Sequence, residues 1–198
     1  MYENDRRKTG YLRRKNEAGV LCGQTRDWGV EVGYYVFDYD PNQELVVRER
    51  VNSLGSSNTV LKFGYQLKIF DLYELILQLL EEEGVLEDLK DLEEEEGTDY
   101  VFQSISDVLR FDDKDSLIIR YIMDNTPDDS VVFLTGVGKS YPILRSHKIL
   151  NNLHQVMDHC PVILFFPGRY NGDSLNIFGE AANDQNENYY RAFPIVDR

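Results

Sequence analysis

Hydrophobic and polar positions change period several times along this chain, and each change marks an element. Val30 to Tyr39 (VEVGYYVFDY) is β-branched and aromatic and predicts a strand. Asp40 before Pro41 predicts a helix start, with an N-cap side chain and a proline in the first turn. Glu44 favours the positive end of that helix dipole, and the helix runs towards Leu54 and stops at Gly55. From Leu61 to Ile69 apolar residues alternate with Lys62, Gly64, Gln66 and Lys68, the period of a strand near a sheet edge. Asp71 with Glu74 reads as a capping box, and Leu72, Leu75, Ile76, Leu79 and Leu80 form one helical stripe behind it.

Three more helical stripes follow. Val85, Leu86, Leu89 and Leu92 carry the first, Val101, Ile105, Val108 and Leu109 the second, and Leu117 to Met123 the third. Val131 to Leu134 and Val162 to Phe166 are apolar at both alternating positions, as in parallel strands covered on two faces. Between them lie a glycine turn and an amphipathic helix whose buried face is Ile149, Leu150, Leu153, Val156 and Met157. Leu175 to Phe178 and Ala192 to Val196 predict two further strands, with Pro194 placing the last at an edge or end. The alternation predicts an α/β three-layer sandwich with a mostly parallel central sheet, P-loop/Rossmann-like but without a functional phosphate loop. Residues 29–198 make one domain, and residues 1–28, which lack clear periodicity, read as a loose basic arm with at most a short helix.

Charge refines this picture. The net charge is −14, and residues 81–99 hold eleven Asp or Glu against one Lys, a net −10. The helical spacing of leucines inside that run makes it a solvated helix face, and it contains no Asp-x-Asp-x-Asp-Gly calcium loop. Residues 1–28 have seven Lys or Arg against four acids, with Arg6-Arg7-Lys8 and Arg13-Arg14-Lys15 as the only basic cluster. The balance argues against DNA as the direct ligand. No run is long enough to span a membrane, no apolar segment follows the charged start as in a secretory signal, and Cys22 and Cys160 lack a CxxC spacing. These features predict a cytoplasmic protein with reduced thiols, Cys160 being a small core residue.

The candidate chemistry centres on Gly136-Val137-Gly138-Lys139-Ser140. A phosphate loop requires Gly-x-x-x-x-Gly-Lys-Ser/Thr, because the N–H groups between the two glycines wrap the phosphates. Phe133 stands where the first glycine belongs, so the turn is too short, and Gly136 and Gly138 serve a tight strand-to-helix turn. A nucleotide-binding or hydrolysing subunit using this loop is the alternative reading, with Asp38 as its only magnesium-binding candidate. His147 and His154 lie seven residues apart, roughly 10 Å along a helix, too far to share a zinc at bonds of about 2 Å. Ser140 and Ser146 lack a Gly-x-Ser-x-Gly elbow, and Asp40, as a cap, leaves Asp38 without a carboxylate partner. Arg145, Lys148 and Asn152 project to one flank of the helix, and His147, Asn151 and His154 to the other. Either Arg145, His147, Asn151 and Asn152 satisfy backbone groups at the strand ends or they form a partner-binding or ligand-binding surface. Tyr189, Tyr190 and Arg191 are of the types that anchor interfaces.

These residues together resemble a known signature. Gly136-Val-Gly138, Tyr141-Pro142, Arg145-Ser146-His147, Leu150-Asn151-Asn152-Leu153, Phe165-Phe166-Pro167-Gly168, Leu175 to Gly179 and Tyr189-Tyr190-Arg191-Ala192-Phe193 are similar to the BrxB family of the bacteriophage exclusion (BREX) defence systems. Phe37-Asp38-Tyr39-Asp40-Pro41 and Asp71-Leu72-Tyr73 look like its pattern too, so the likeness runs from about Tyr34 to the C-terminus. The resemblance implies a small component without catalytic activity or cofactor, acting beside a PglZ phosphatase-like protein, a DNA methyltransferase and a large ATPase. It makes PglZ the first expected partner and the methyltransferase a further one. The expected functional surface is Arg145, His147, Asn151, Asn152, Tyr189, Tyr190 and Arg191, with Gly136, Gly138 and Lys139 in the adjoining loop.

Overall fold

A computed structural model describes residues 33–56, 64–113, 115–171, 175–178 and 192–195. Strand β1 (Tyr34–Tyr39) leads through a short 3-10 turn, Pro41–Gln43, into α1 (Glu44–Gly55). Strand β2 (Gln66–Asp71) is followed by α2 (Leu72–Glu82), α3 (Leu86–Glu96), α4 (Thr98–Leu109) and α5 (Leu117–Asp124). Strand β3 (Ser130–Thr135) turns into the one-turn helix α6 (Val137–Ser140) and then α7 (Ser146–Val156). Strands β4 (Val162–Tyr170), β5 (Leu175–Ile177) and β6 (Ala192–Pro194) complete the described chain.

The sheet runs in the order β2-β3-β4-β1-β6, with β5 attached to β4 alone. Every pairing along that order is parallel, for example Leu67 beside Val131, Val132 beside Val162 and Phe37 beside Phe165. The first crossover leads from β1 outwards to β2, and the next two march back through β3 to β4. Right-handed crossovers in opposite directions place their helices on opposite faces. The packing agrees, since α1 lies on one face and α2 to α7 on the other.

Period-two alternation divides each strand between two cores. Val36, Val132, Leu134, Val162, Leu164 and Phe166 face the larger one, against Leu72, Ile76 and Leu80 of α2, Ile118 and Ile122 of α5 and Leu153 of α7. Val131, Phe133 and Ile163 face the smaller one, with Tyr65 and Val51 of α1. There Phe165 joins Phe133 and Phe37, at ring centroid distances of 4.9 and 5.4 Å. Each large side chain buried this way contributes about 1.5–3 kcal/mol.

The α/β class, the parallel sheet and the helical stripes of α2 to α5 are as the periodicity predicts. Several details differ. Asp40 accepts from the Asn42 amide as expected, but the first turn is a 3-10 turn and α1 proper begins at Glu44. Glu44 is turned to its neighbours, accepting from the Tyr39 hydroxyl and pairing with Arg48 at 3.0 Å. Residues 175–177 form the strand expected over Leu175 to Phe178, in a direction the spacing does not give. They fold back antiparallel on Gly168 to Tyr170, because β4 continues through Pro167 beyond the sheet. Val156, placed on the buried face of α7 by its spacing, is 37% exposed, since the helix ends there and Met157 takes the core position. The arm at residues 1–28 lies outside the described residues.

Candidate functional site

In a parallel α/β sheet, ligands bind beyond the carboxyl ends of the strands. At that edge Gly136 ends β3 with φ of +75°, a left-handed conformation that glycine adopts without strain. A Cβ there would stand 2.2 Å from Asp71 Oδ1, so the glycine also allows the end of β2 to approach. Asp71 caps α2, accepting from the amides of Tyr73 at 3.1 Å and Glu74 at 3.3 Å. Glu74 does not reach back as a capping box would. It pairs instead with Lys139 at 2.9 Å, while Asp71 Oδ2 lies 2.7 Å from the same ammonium. The Lys139 Nζ also sits 5.4 Å from the Tyr73 ring centroid. Burial works against the charged lysine, but the hydrogen bonds and charges of Asp71 and Glu74 outweigh it and hold its pKa above the ordinary value.

The neighbouring strand ends are also closed. Asp38, on β1, is buried and accepts from the Tyr170 amide at 3.3 Å. The Tyr170 hydroxyl donates to Ala192 O at 2.7 Å, tying the β4 extension to β6 across β1. The side chains singled out for phosphate and magnesium are thus engaged with the protein's own carboxylates and backbone.

Among the described residues, this edge also leaves two aromatic side chains exposed. Tyr141, directly after α6, is 42% exposed, and Phe178, directly after β5, is 48% exposed. Their rings meet edge to face with centroids 6.2 Å apart. Phe178 has φ of +52°, an uncommon conformation for a bulky residue. Gly138 lies beneath, where a Cβ would be 3.2 Å from both Phe178 Cζ and Pro167 Cγ. Tyr141 belongs to the motif noted in the sequence. Phe178 also falls in the motif, at the end of the strand predicted over Leu175 to Phe178, but its contact with Tyr141 comes from the β4–β5 hairpin that folds it back onto the loop after β3.

The residues of α7 divide by role. Asn152 donates to the carbonyls of Phe111 at 3.0 Å and Asp113 at 3.3 Å, so it satisfies backbone beyond α4 and not at the strand ends. Lys148 pairs with Asp112 in the same loop. His154 packs against Tyr34 with ring centroids 5.0 Å apart. Arg145, at the N-cap position, and Asn151 are exposed. The His147 side chain, and Tyr189, Tyr190 and Arg191 entirely, lie outside the described residues. Cys160 is fully buried, and burial, ahead of the charges of Asp128 and Asp129, pushes its thiol up to about 11. Among the described residues there is no group of three or more His, Cys, Asp or Glu placed to hold a metal ion, and no helix long and apolar enough to cross a membrane.

Comparison with known proteins agrees with the motif pattern. The family model described as BREX protein BrxB matches residues 68–195. A BREX protein BrxB of Bacillus cereus (strain H3081.97) is 44% identical over 177 residues, covering 88% of this chain and 89% of that protein. Another, of Escherichia coli O9:H4 (strain HS), is 30% identical over 168 residues, covering 85% of this chain and 80% of that protein. No solved structure matches the chain significantly. The extent of these matches places the chain in the BrxB family, among the components of BREX phage defence.

Proposed function

We propose that the protein is a non-catalytic adaptor of the BREX machinery that works through protein–protein contacts. The observation that carries this reading is Lys139, which is held by Asp71 and Glu74 at the sheet edge where α/β enzymes place their chemistry. The engagement of Asp38 by Tyr170 supports it from the adjoining strand. The contact surface in this reading is the same edge, with Tyr141, Phe178 and Arg145, together with His147 and Asn151 and the Tyr189-Tyr190-Arg191 segment of the motif. The family resemblance makes a PglZ phosphatase-like protein the first partner and the methyltransferase a second, by analogy alone.

Affinity purification from the native host tests the reading. The wild type should retain another BREX protein, and the Arg145→Ala/Tyr190→Ala double variant should retain much less. Equal retention would refute that surface, and no co-purifying BREX protein would refute the adaptor role. The nucleotide reading requires Lys139 to leave both carboxylates for a phosphate. Magnesium-dependent ATP binding by calorimetry, lost in Lys139→Ala, would decide in its favour.

A further inference from the structure

We infer that residues 11–28 dock on the smaller face of the sheet, over the aromatic side chains of β1, β4 and β6. Burial on that face declines from strand to strand. Val131 and Phe133 of β3 are buried beside Val51 of α1. On β4 Ile163 is buried and Phe165 only half-buried, on β1 Tyr35 and Phe37 are half-buried, and on β6 Phe193 is 63% exposed. The opposite face of the last two strands is sealed, with Tyr34, Val36 and Ala192 all buried. Phe193 stands in register beside Tyr35 with ring centroids 6.3 Å apart, and Phe37 meets Phe165 at 5.4 Å. The partly exposed rings therefore form one continuous apolar patch.

The path of the chain identifies the occupant. Strands β1 and β6 start side by side, Tyr34 beside Ala192, so the segment leading into β1 arrives next to Phe193. Other stretches are poorly placed. Residues 57–63 join α1 to β2 at the far edge of the sheet, and residues 196–198 are too few to cover the patch. The connection from β4 to β6 crosses the sheet in the same direction as those from β2 to β3 and β3 to β4, so a right-handed crossover keeps it on the larger face. Residues 11–28 supply Tyr11, Leu12, Val20, Leu21 and Trp28. Even when helical they reach about 27 Å, more than the roughly 20 Å length of a six-residue strand such as β1. Residues 1–28 carry seven Lys or Arg against four acids on a chain of net −14. That contrast draws the segment onto its own domain, whereas two whole copies repel each other.

Trp28 is the only tryptophan of the chain, so its fluorescence reports on this site alone. In the full-length protein acrylamide should quench it about threefold less than in urea, as for an indole packed on apolar surface. Phe193→Asp should remove most of that protection and Phe193→Leu should keep it. Tyr100→Asp, at an exposed position of α4 across the sheet, should leave it unchanged. A photoreactive benzophenone amino acid in place of Phe193 should form adducts with residues 11–28 of its own chain, a readout that holds even where Phe193→Asp does not fold. Wild-type quenching equal to that in urea would overturn the inference. So would protection that survives Phe193→Asp in the folded protein or is lost equally in Tyr100→Asp, and so would adducts that join two copies or miss residues 11–28. The affinity purification that tests the adaptor reading is independent of all these outcomes.

Discussion

The Lys139 ammonium lies 2.7 Å from the carboxylate of Asp71, the same carboxylate that caps α2. One side chain at the end of β2 therefore orders the start of α2 and the loop after β3 together. Glu74, one turn into α2, completes the clasp at 2.9 Å. This arrangement turns a lysine in a phosphate-loop-like setting into a tie between two crossover connections, and it leads to the first two expectations below.

Removing either end of the tie should have unequal effects. Asp71→Ala loses the cap, about 0.5–2 kcal/mol, and also leaves Lys139 with one partner fewer. Lys139→Met keeps the cap and the aliphatic stem, so it should cost about 1 kcal/mol or less, because both side chains are partly exposed to solvent. Urea denaturation of the two single variants and the double variant would measure the coupling. A coupling energy near zero would mean that the clasp is not formed in solution.

Gly136→Ala meets two obstacles, the positive φ and the approach of Asp71 Oδ1 to 2.2 Å from the new Cβ. The strain alone should cost about 1–3 kcal/mol. Gly138→Ala has no positive φ to contend with, but its Cβ would stand a tight 3.2 Å from Phe178 and Pro167. A side chain must then shift by a few tenths of an ångström, and the substitution should be milder. Thermal unfolding of the two variants should rank them in that order.

Neighbouring asparagines on α7 should behave differently. Asn152→Ala removes the side-chain donor from the Phe111 carbonyl and one donor from the Asp113 carbonyl, which keeps the Ser116 amide at 3.2 Å, and should destabilise by about 1–2 kcal/mol. The Asn151 side chain is exposed, and Asn151→Ala should stay within about 0.5 kcal/mol. Equal losses in chemical denaturation would contradict the hydrogen bonding of Asn152.

Stability should decline at alkaline pH. The Cys160 thiol, ordinarily near 9.0, is pushed up to about 11 by burial, so between those values the unfolded chain releases a proton that the folded chain keeps. Folding then weakens as pH rises, by on the order of 2 kcal/mol across that window. Burial raises Tyr34 as well, and Lys139 is raised by its carboxylates, so both act in the same direction at higher pH. Denaturation midpoints from pH 8 to 11 should fall for the wild type and fall less steeply for Cys160→Ala. Parallel curves would rule out the thiol as a source.

Much of the fold was legible because it is written in local spacing. The stripe of Leu72, Leu75, Ile76, Leu79 and Leu80 could be buried only as one helix face, and all five are buried. Val131 to Leu134, apolar on both sides, required a covered parallel strand, and it stands inside the sheet. The misfit of Phe133 to a phosphate loop was equally plain, since it depends on counting along the chain. The role of Glu74 was not legible. Its spacing from Asp71 suggested a capping box, but Lys139 lies 65 residues away and competes for it only once β2 and β3 are paired.

The sequence by itself determined the element types, the parallel character of the sheet and the family, because each depends on neighbours along the chain or on motifs read in order. Tertiary structure alone decided what the side chains do. Pairing β2 with β3 brought Lys139 to Asp71, and extending β4 brought the Tyr170 amide to Asp38. Folding β5 back on β4 set Phe178 against Tyr141, which is 37 residues earlier in the chain. Such contacts join residues far apart in sequence, and no local period encodes which strand ends will meet.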